Sequence, residues 1–558
     1  MPLGLIVQHT KLEPRNVRDA LVVLIQHGIA TYATSKEGQR TNAYYSISLK
    51  NILRLLRAGL YLALVEERMG KEGLAIFKLI MVNGCMTISD VKSALGFASM
   101  DASSKIKFNS VVARLVRERF ISAVSPVDTV SKIDRIMEAE ARELEKLTVP
   151  PTAKELLEIR RRINEKEEED YHSSTVVGIK RKAVSGLNGD HHPAKIQLGA
   201  DGKTVIAGNG LSINGISGAD GDEAQQQTDV VDDEQFFRPY CDRLDVFLRN
   251  QQIINYFTDK YNAGAGAVIK SILRLSESRI KTCRDMKTDT VSASQIIQHI
   301  SQEAPLADAV DMGNDMFYEN LATDGAESKD GSGAMSRAKR GEVAYALLEV
   351  LQADVSGIVV KADERGAGQY RVDFERAAST LRDQCLDALV QEKFGSLHAR
   401  VVRVLRDKQK LDEKTVSQAT MLPMGMCRER LHDLAIAGLI DTMEIPRSAD
   451  RNPSRMFYLW FVNPDKQMRA AMRYAFQGAS NAMQRLAHEL NIRSPLIAKT
   501  KRQDVIADPN LLTEAERNEL RVLDNIKQRL QVAMVRLDSL LFIVHDINPL
   551  SAELQLLQ

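Results

Sequence analysis

DRNPSRMFYLWFVN, residues Asp450 to Asn463, holds the single tryptophan of the chain, Trp460. A loop-forming half (Asp450, Arg451, Asn452, Pro453, Arg455) runs straight into Met456, Phe457, Tyr458, Leu459, Trp460, Phe461 and Val462. In a chain with 5% aromatic residues, this junction is either a recognition surface or a strand lying on a core. The residues before it decide. "HARVVRVLRDKQKL" and "DEKTVSQATML" carry the apolar spacing of two helices. "PMGMCRERLHDLAIAGLIDTMEI" predicts a third, with Cys427, Leu431, Leu434 and Ala435 facing inward, stopped by Gly438 and followed by a strand. Helices closed by two strands around the polar tip "PRSADRNPSR" predict a winged helix, a helix-turn-helix with a β-hairpin attached. The aromatic run is then the returning wing strand, whose successive residues face opposite ways. Trp460 is expected on the core, and Tyr458 or Trp460 remains available to a partner.

The same phrase recurs along the chain. In "PRNVRDALVVLIQHG" Val17, Leu21, Leu24 and Ile25 share a face, Gly28 ends the helix, and "IATYATS" and "TNAYYSISL" flank the polar "KEGQR". A second copy reads "KEGLAIFKLIMVNG", then "TISDVKSAL" with Thr87 or Ser89 as N-cap. Its third helix, "IKFNSVVARLVRERF", has the apolar face Val111, Leu115 and Phe108, and "ISAVSPVD" leads out as a strand. A third copy starts at "PYCDRLDVFLRN" and continues through "GEVAYALLEVLQ" and "GQYRVDFERAASTLRDQC". The C-terminal part reads as two long helices. In the second, Leu520, Lys527, Met534 and Leu541 share one heptad position and Leu523, Leu530, Leu537 and Val544 another, with Thr513 and Glu516 spaced as a capping box. The fold class expected is mainly α with small β-wings: tandem winged helices and a C-terminal antiparallel coiled coil.

The organisation expected is a first winged helix with a connecting helix over residues 1–69 and a second over 70–128. A charged helical insert follows over 129–171, and a glycine-rich linker over 172–234 that cannot offset its ordering entropy and reads as disordered. The third winged helix spans 235–372 with a disordered loop near 311–341, the fourth 373–463, and the helical hairpin 464–558.

With 558 residues, the chain is expected to hold about three to five compact units. Its 75 basic and 74 acidic side chains nearly cancel, so bulk charge predicts no nucleic-acid partner and any basic patch is local. The 5 cysteines form no CxxC pair, which sets aside the common zinc spacings and fits a reducing compartment. No apolar run reaches the roughly 20 residues of a membrane span, and the opening residues lack the features of a signal peptide. The chain is expected to be soluble and intracellular.

Chemistry is hard to find. "NAGAGAVIK" has no third glycine at dinucleotide-binding spacing and no P-loop Lys-Ser/Thr. His191 and His192 have no cysteine or carboxylate at metal spacing, and "EKEEED" reads as a solvated helix face. No catalytic residue, cofactor or metal is expected. Binding remains, because winged helices often present a helix to the major groove and a wing to phosphates through Arg and Lys. The candidates are Arg15, Arg18, Lys36 and Arg40 on the first copy, and Lys105, Lys107, Arg114 and Arg117 on the second. The fourth copy adds Arg428, His432, Arg447, Arg451 and Arg455. Acids such as Asp19, Glu118 and Glu429 are interspersed, so sequence-specific readout is not expected.

"EPRNVRDALVVLIQHG", "LRAGLYLALVEERMG" and above all "DRNPSRMFYLWFVN" resemble the four-winged-helix subunit of eukaryotic RNA polymerase III, a distant relative of the large subunit of TFIIE. The resemblance spans nearly the whole chain, in a fungal-type form shortened at its start: "MPLGLIVQHTKLEPRN" begins almost at helix two, which would leave Leu21, Leu24 and Ile25 exposed. It implies a non-catalytic subunit of a nuclear polymerase that makes transfer RNA, 5S ribosomal RNA and other short transcripts. It further implies a heterotrimer with two smaller subunits, seated on the clamp of the large subunit, that supports initiation and promoter opening near DNA. The coiled coil would dock onto the large subunits, which makes Leu520, Leu523, Leu530, Met534, Leu537 and Leu541 docking candidates. The alternatives are a stand-alone winged-helix regulator and a structural adaptor of another assembly.

Overall fold

A computed structural model describes residues 1–37, 40–97, 101–124, 126–146, 152–174, 179–180, 197–198, 204–205, 230–280, 282–300, 337–365, 368–446, 456–507 and 511–547. The chain divides into two units, Met1–Ser46 with Leu62–Tyr240, and Ile47–Tyr61 with Cys241–Gln558. The stretches expected to be disordered, 172–234 and 311–341, fall almost wholly outside the described residues.

The first unit opens with α1 (Leu3–Thr10), α2 (Pro14–Gln26), β1 (Ala30–Glu37) and β2 (Arg40–Ile47). Pro14 starts α2 because its fixed φ suits the first helical turn, and Gly28 at φ 68° lets the chain turn out of it. The opening residues form the helix that precedes α2, and Pro2 bridges to Tyr44. Leu21, Leu24 and Ile25 are therefore half-buried rather than exposed, while Val22 and Val23 face out.

After α3 (Leu49–Leu56) comes α4 (Ala58–Asn83), broken at Gly70, whose φ of 73° and ψ of −174° are non-helical. The part beyond Gly70 is helix one of the second module, followed by β3 (Met86–Thr87), α5 (Ile88–Ala94), α6 (Ala102–Arg117) and β4 (Ile121–Ala123). Thr87 caps α5, its Oγ1 accepting from the Asp90 amide at 3.1 Å. The buried face of α6 is Phe108, Val112, Leu115 and Val116; Val111 is only half-covered, one position out of the expected phase. Beyond β4 lie α7 (Lys132–Glu145), α8 (Ala153–Ser174) and the two-residue strands β5 (Ile179–Lys180), β6 (Gln197–Leu198), β7 (Thr204–Val205) and β8 (Val230–Val231).

The sheet of this module is completed from far away. β9 (Phe236–Pro239) lies between β3 and β4, pairing Met86 with Phe237 and Ser122 with Arg238. Phe237 is fully buried, as an inward residue of a central strand should be. Residues 235–240 thus belong to the second module, where the sequence pattern had placed the start of the third.

In the second unit, α9 (Cys241–Lys260), α10 (Ala263–Ser276), α11 (Ala293–His299) and α12 (Arg337–Ala353) surround a core that includes Phe257, Ile269, Ile296 and Leu348. β10 (Val291–Ser292), β11 (Val359–Asp363) and β12 (Gln369–Val372) form its wing, with β12 central. α13 (Phe374–Phe394) leads to the fourth module: α14 (Ser396–Lys408), β13 (Leu411–Asp412), α15 (Glu413–Thr420), α16 (Met424–Ile436), β14 (Asp441–Pro446) and β15 (Met456–Phe461). β15 is central, with Trp460 opposite Leu411 on one side and Thr442 on the other. Trp460 packs on the core of Val402, Leu405, Leu431 and Leu434, so the aromatic run is a core-covering strand.

Asn463 caps α17 (Pro464–Ile492), which is followed by α18 (Ser494–Thr500), α19 (Gln503–Ala507) and α20 (Glu514–Leu541). The expected capping box is present: the Glu516 amide donates to Thr513 Oγ1 at 3.3 Å and the Thr513 amide to Glu516 Oε2 at 2.9 Å. Met468, early in α17, packs on Leu541 and Val544, whereas Gly478 lies against Leu537, so the two helices run antiparallel. Leu523 and Leu541 are buried, Leu520, Leu530, Met534 and Leu537 half-buried, and Lys527 is exposed.

The second unit is held by a buried ionic cluster. Arg57, 1% exposed, sits between α3 and α4. Its Nε donates to both carboxylate oxygens of Asp538 at 3.0 and 3.1 Å, and its Nη1 lies 2.5 Å from Asp546. The guanidinium also stacks 4.7 Å from the centre of the Phe542 ring. One turn earlier Arg54 pairs with Asp242 and, at 2.6 Å, with Asp245, whose other oxygen accepts from Tyr61 at 2.5 Å. Burial opposes the charge of Arg57, yet Asp546, Asp538 and Asp245 outweigh it and hold the guanidinium above its ordinary pKa. Burial also works against Asp546, but His545 and Arg57 bring its carboxyl down to about 2. Asp538 goes the other way, raised by burial despite Arg57.

Removing one member of such a cluster strands the others. Arg57→Met is expected to destabilise the second unit by about 3–5 kcal/mol, seen as faster hydrogen exchange in α3, α9 and the end of α20 together. A change confined to α3 would contradict this. Asp546, depressed below its unfolded value, contributes stability that is full above about pH 4 and is lost as pH falls toward 2, about 2 kcal/mol in all. Asp546→Asn should therefore flatten the acid limb of stability in denaturant titrations at successive pH values over that window. Trp460→Ala should cost about 2 kcal/mol of fourth-module stability, read as a lower melting temperature.

Candidate nucleic-acid interface

α6 is the third helix of the second module, the element that a winged helix commonly presents to DNA. Its apolar side is committed to the core, which fixes what faces outward. Ser103, Lys107, Ser110, Arg114 and Arg117 recur at intervals of four and three residues and are all exposed, so they form one stripe along the helix. From Ala102 to Arg117 there is no acidic residue. The cations of the stripe suit phosphate oxygens, while Ser110 Oγ donates to the Lys107 carbonyl at 2.7 Å and leaves a small polar surface between them. Arg114 is anchored, its Nε donating to Glu118 at 2.9 Å and its Nη2 to the Arg68 carbonyl at 3.0 Å. Lys105 points elsewhere: its ammonium lies 5.6 Å from the centre of the Phe97 ring, and Lys92 lies 5.2 Å from the same ring.

α16 occupies the same place in the fourth module and presents something different. Its first turn exposes Met424 and Met426, and Met421, just before it, is 88% exposed. Arg428 is engaged by Glu413 at 2.9 Å, and Arg430 lies near Glu429 and Asp433. His432 is exposed. On the wing, Met443, Ile445, Phe457 and Tyr458 are exposed, with Ile445 directly opposite Phe457. Arg447, Arg451 and Arg455 lie outside the described residues. The face formed by the start of α16 and the wing strands exposes apolar side chains, which suits a protein partner better than phosphate.

On the first module Arg15 and Arg18 are exposed along α2, with Asp19 beside them. The side chains of Lys36 and Arg40, on β1 and β2, are not described. The structure thus brings Lys107, Arg114 and Arg117 together and separates Lys105 from them. Ser103 and Ser110 were missed in the sequence, although helical periodicity applied to hydroxyls would have found them.

The remaining motifs have structural explanations. In "NAGAGAVIK" Asn262 caps α10, accepting from the Ala265 amide at 2.8 Å. A Cβ on Gly266 would come within 2.1 Å of Thr258 Oγ1, so this glycine permits close packing of α9 on α10. Burial pushes the Cys283 thiol up to about 12 and Cys385 to about 11, so neither supplies a thiolate at neutral pH. Among the described residues no group of His, Cys, Asp and Glu could hold a metal ion, and no helix is long and apolar enough to cross a membrane. His191 and His192 lie outside the described residues.

Comparison with known proteins agrees with these elements. The family model "RNA polymerase III subunit RPC82" matches residues 110–381, and its helix-turn-helix domain matches residues 1–35. The model "POLR3C, C-terminal winged-helix domain" matches residues 386–462. The chain is 24% identical to DNA-directed RNA polymerase III subunit rpc3 of Emericella nidulans, over 96% of this chain and 93% of that protein. It is 24% identical to subunit RPC3 of Danio rerio, over 99% and 90%, and 23% identical to that of Bos taurus, over 98% and 92%.

Proposed function

This chain belongs to the RPC82/RPC3 family of RNA polymerase III subunits, and we propose that it serves nuclear RNA polymerase III as a binding subunit that brings DNA and protein to different modules. It is a non-catalytic subunit. In this reading it joins two smaller subunits in a heterotrimer on the clamp of the large subunit. From there it supports initiation and promoter opening for tRNA, 5S rRNA and other small RNAs, and contacts DNA without reading its sequence. What supports this is the contrast between two equivalent helices, α6 with a stripe of hydroxyls and cations and α16 with exposed methionines. A chain carrying a net charge of only +1 gains little DNA affinity from its overall field, so a local stripe must supply it.

The docking candidates on α20 call for a refinement. Leu523 and Leu541 are buried and Leu537 packs on Gly478, so the seam itself joins the hairpin. A partner would meet the outward sides of α17 and α20, where Phe476, Met483 and Val532 are exposed.

Binding of the full chain to duplex DNA, measured against salt, tests the proposal. Lys107→Glu with Arg117→Glu is expected to weaken binding about tenfold or more and to lower the slope of log affinity against log salt by about 2. Arg428→Glu is expected to leave both nearly unchanged. An unaltered slope in the α6 variant would exclude that helix as the DNA contact.

A further inference from the structure

A cleft of about 470 Å³ opens in the second unit where α13, the end of α14, the end of β15 and the start of α17 meet. Its walls mix two kinds of surface. Leu386, Leu405 and Phe461 give apolar ground, while Arg382, Lys410 and Gln467 supply donors. A pocket of this size and composition accommodates a short side-chain cluster rather than an extended surface.

The donors are under-used, which sets this cleft apart from the ion pairs around it. Gln467 is 2% exposed, yet its Nε2 has no hydrogen-bond partner. Buried amide donors are almost always paired, so an unpaired one lining a cleft marks a place for an acceptor. Arg382 is half-buried, and its one hydrogen bond among the described residues goes to the Met468 sulfur at 3.4 Å, a weak acceptor. Burial lowers its pKa, and the charges of Asp383 and Asp465 only partly offset that. Lys410 makes no ion pair among the described residues and lies 5.8 Å from the Phe461 ring. Arg406, by contrast, is occupied by Asp387 at 3.0 Å. The rim is strained as well: Gln409, which lines the cleft, has φ 65° and ψ −106°, a conformation that side-chain-bearing residues rarely adopt.

We propose that this cleft is a docking site for an acidic-apolar segment of a partner polypeptide. One carboxylate of that segment takes the donors of Arg382, Lys410 and Gln467, and its apolar neighbour covers Leu386, Leu405 and Phe461. Nucleic acid fits less well, because Asp383 lines the cleft beside the donors and would repel a continuous polyanion. The cleft also has only two uncommitted cations, where phosphate backbones are followed by rows of them. The site is independent of the α6 stripe and stands or falls apart from it.

Fluorescence anisotropy of the full chain tests this with a labelled twelve-residue peptide of alternating Glu and Leu, its Gln-for-Glu counterpart, and a twelve-base-pair duplex DNA. The acidic peptide is expected to bind saturably and the Gln peptide at least tenfold more weakly. R382E or K410E should weaken the acidic peptide tenfold or more, and Gln467→Leu about threefold, with the circular dichroism and melting temperature of the fourth module retained. If R382E does not fold, R382M replaces it with the same expectation. No saturable binding, equal binding of the Gln peptide, or unchanged affinity in R382M would overturn the proposal. So would a loss of duplex DNA binding in R382E without loss of peptide binding, which would assign the cleft to nucleic acid.

Discussion

Arg57 is a fully charged group at 1% exposure, and the second unit is arranged around the need to neutralise it. Its partners come from stretches that are remote in sequence: Asp245 from α9, Asp538 from the end of α20, and Asp546 just beyond. A buried guanidinium is tolerated only when its charge is met, here by carboxylates from several directions. The consequence is topological. Residues 47–61 follow the first winged helix in sequence, yet they belong to the core of the second unit. Arg54 and Tyr61 extend the same cluster by engaging Asp242 and Asp245. Apolar packing alone could slip in register along a helical hairpin, whereas a charge cluster this specific fixes where the end of α20 lies against α3 and α9.

The winged-helix modules share one fold and differ in their surfaces. The core of each is a few helices covered by a small sheet, and the core says nothing about the outer face. On α6 the outer positions are serines, a lysine and arginines; on α16 they begin with methionines. Methionine adapts its shape to an apolar partner, while the cations of the α6 stripe offer donors to oxygen acceptors. Shared architecture with divided recognition is what a subunit needs if it must hold a complex together and meet DNA at the same time.

How much of this the sequence disclosed depended on range. Local signals were legible: Gly438 ending α16, the Thr513–Glu516 capping box, and the aromatic strand through Trp460 on its core. What failed was non-local or too short to show a period. β9 has four residues and joins a sheet whose other strands end at Ala123, so nothing near Phe237 announces its partners. In α6 the apolar face was placed on Val111 rather than Val112, a slip of one residue that a helix of mixed polarity permits. The charge cluster was invisible because Arg57 and Asp538 lie 481 positions apart and each looks like an ordinary surface residue in its local sequence. At the candidate interface the cations of the second module could be read from the sequence, but only the helix phase separates Lys105 from Lys107.

The division of labour between α6 and α16 is the central claim, and crosslinking within the working enzyme addresses it most directly. A photoreactive side chain would be placed at Ser110 on α6 and, separately, at Met426 on α16, in polymerase assembled on promoter DNA. The account predicts that Ser110 labels DNA and that Met426 labels a protein neighbour. DNA labelled from Met426, with none from Ser110, would contradict it.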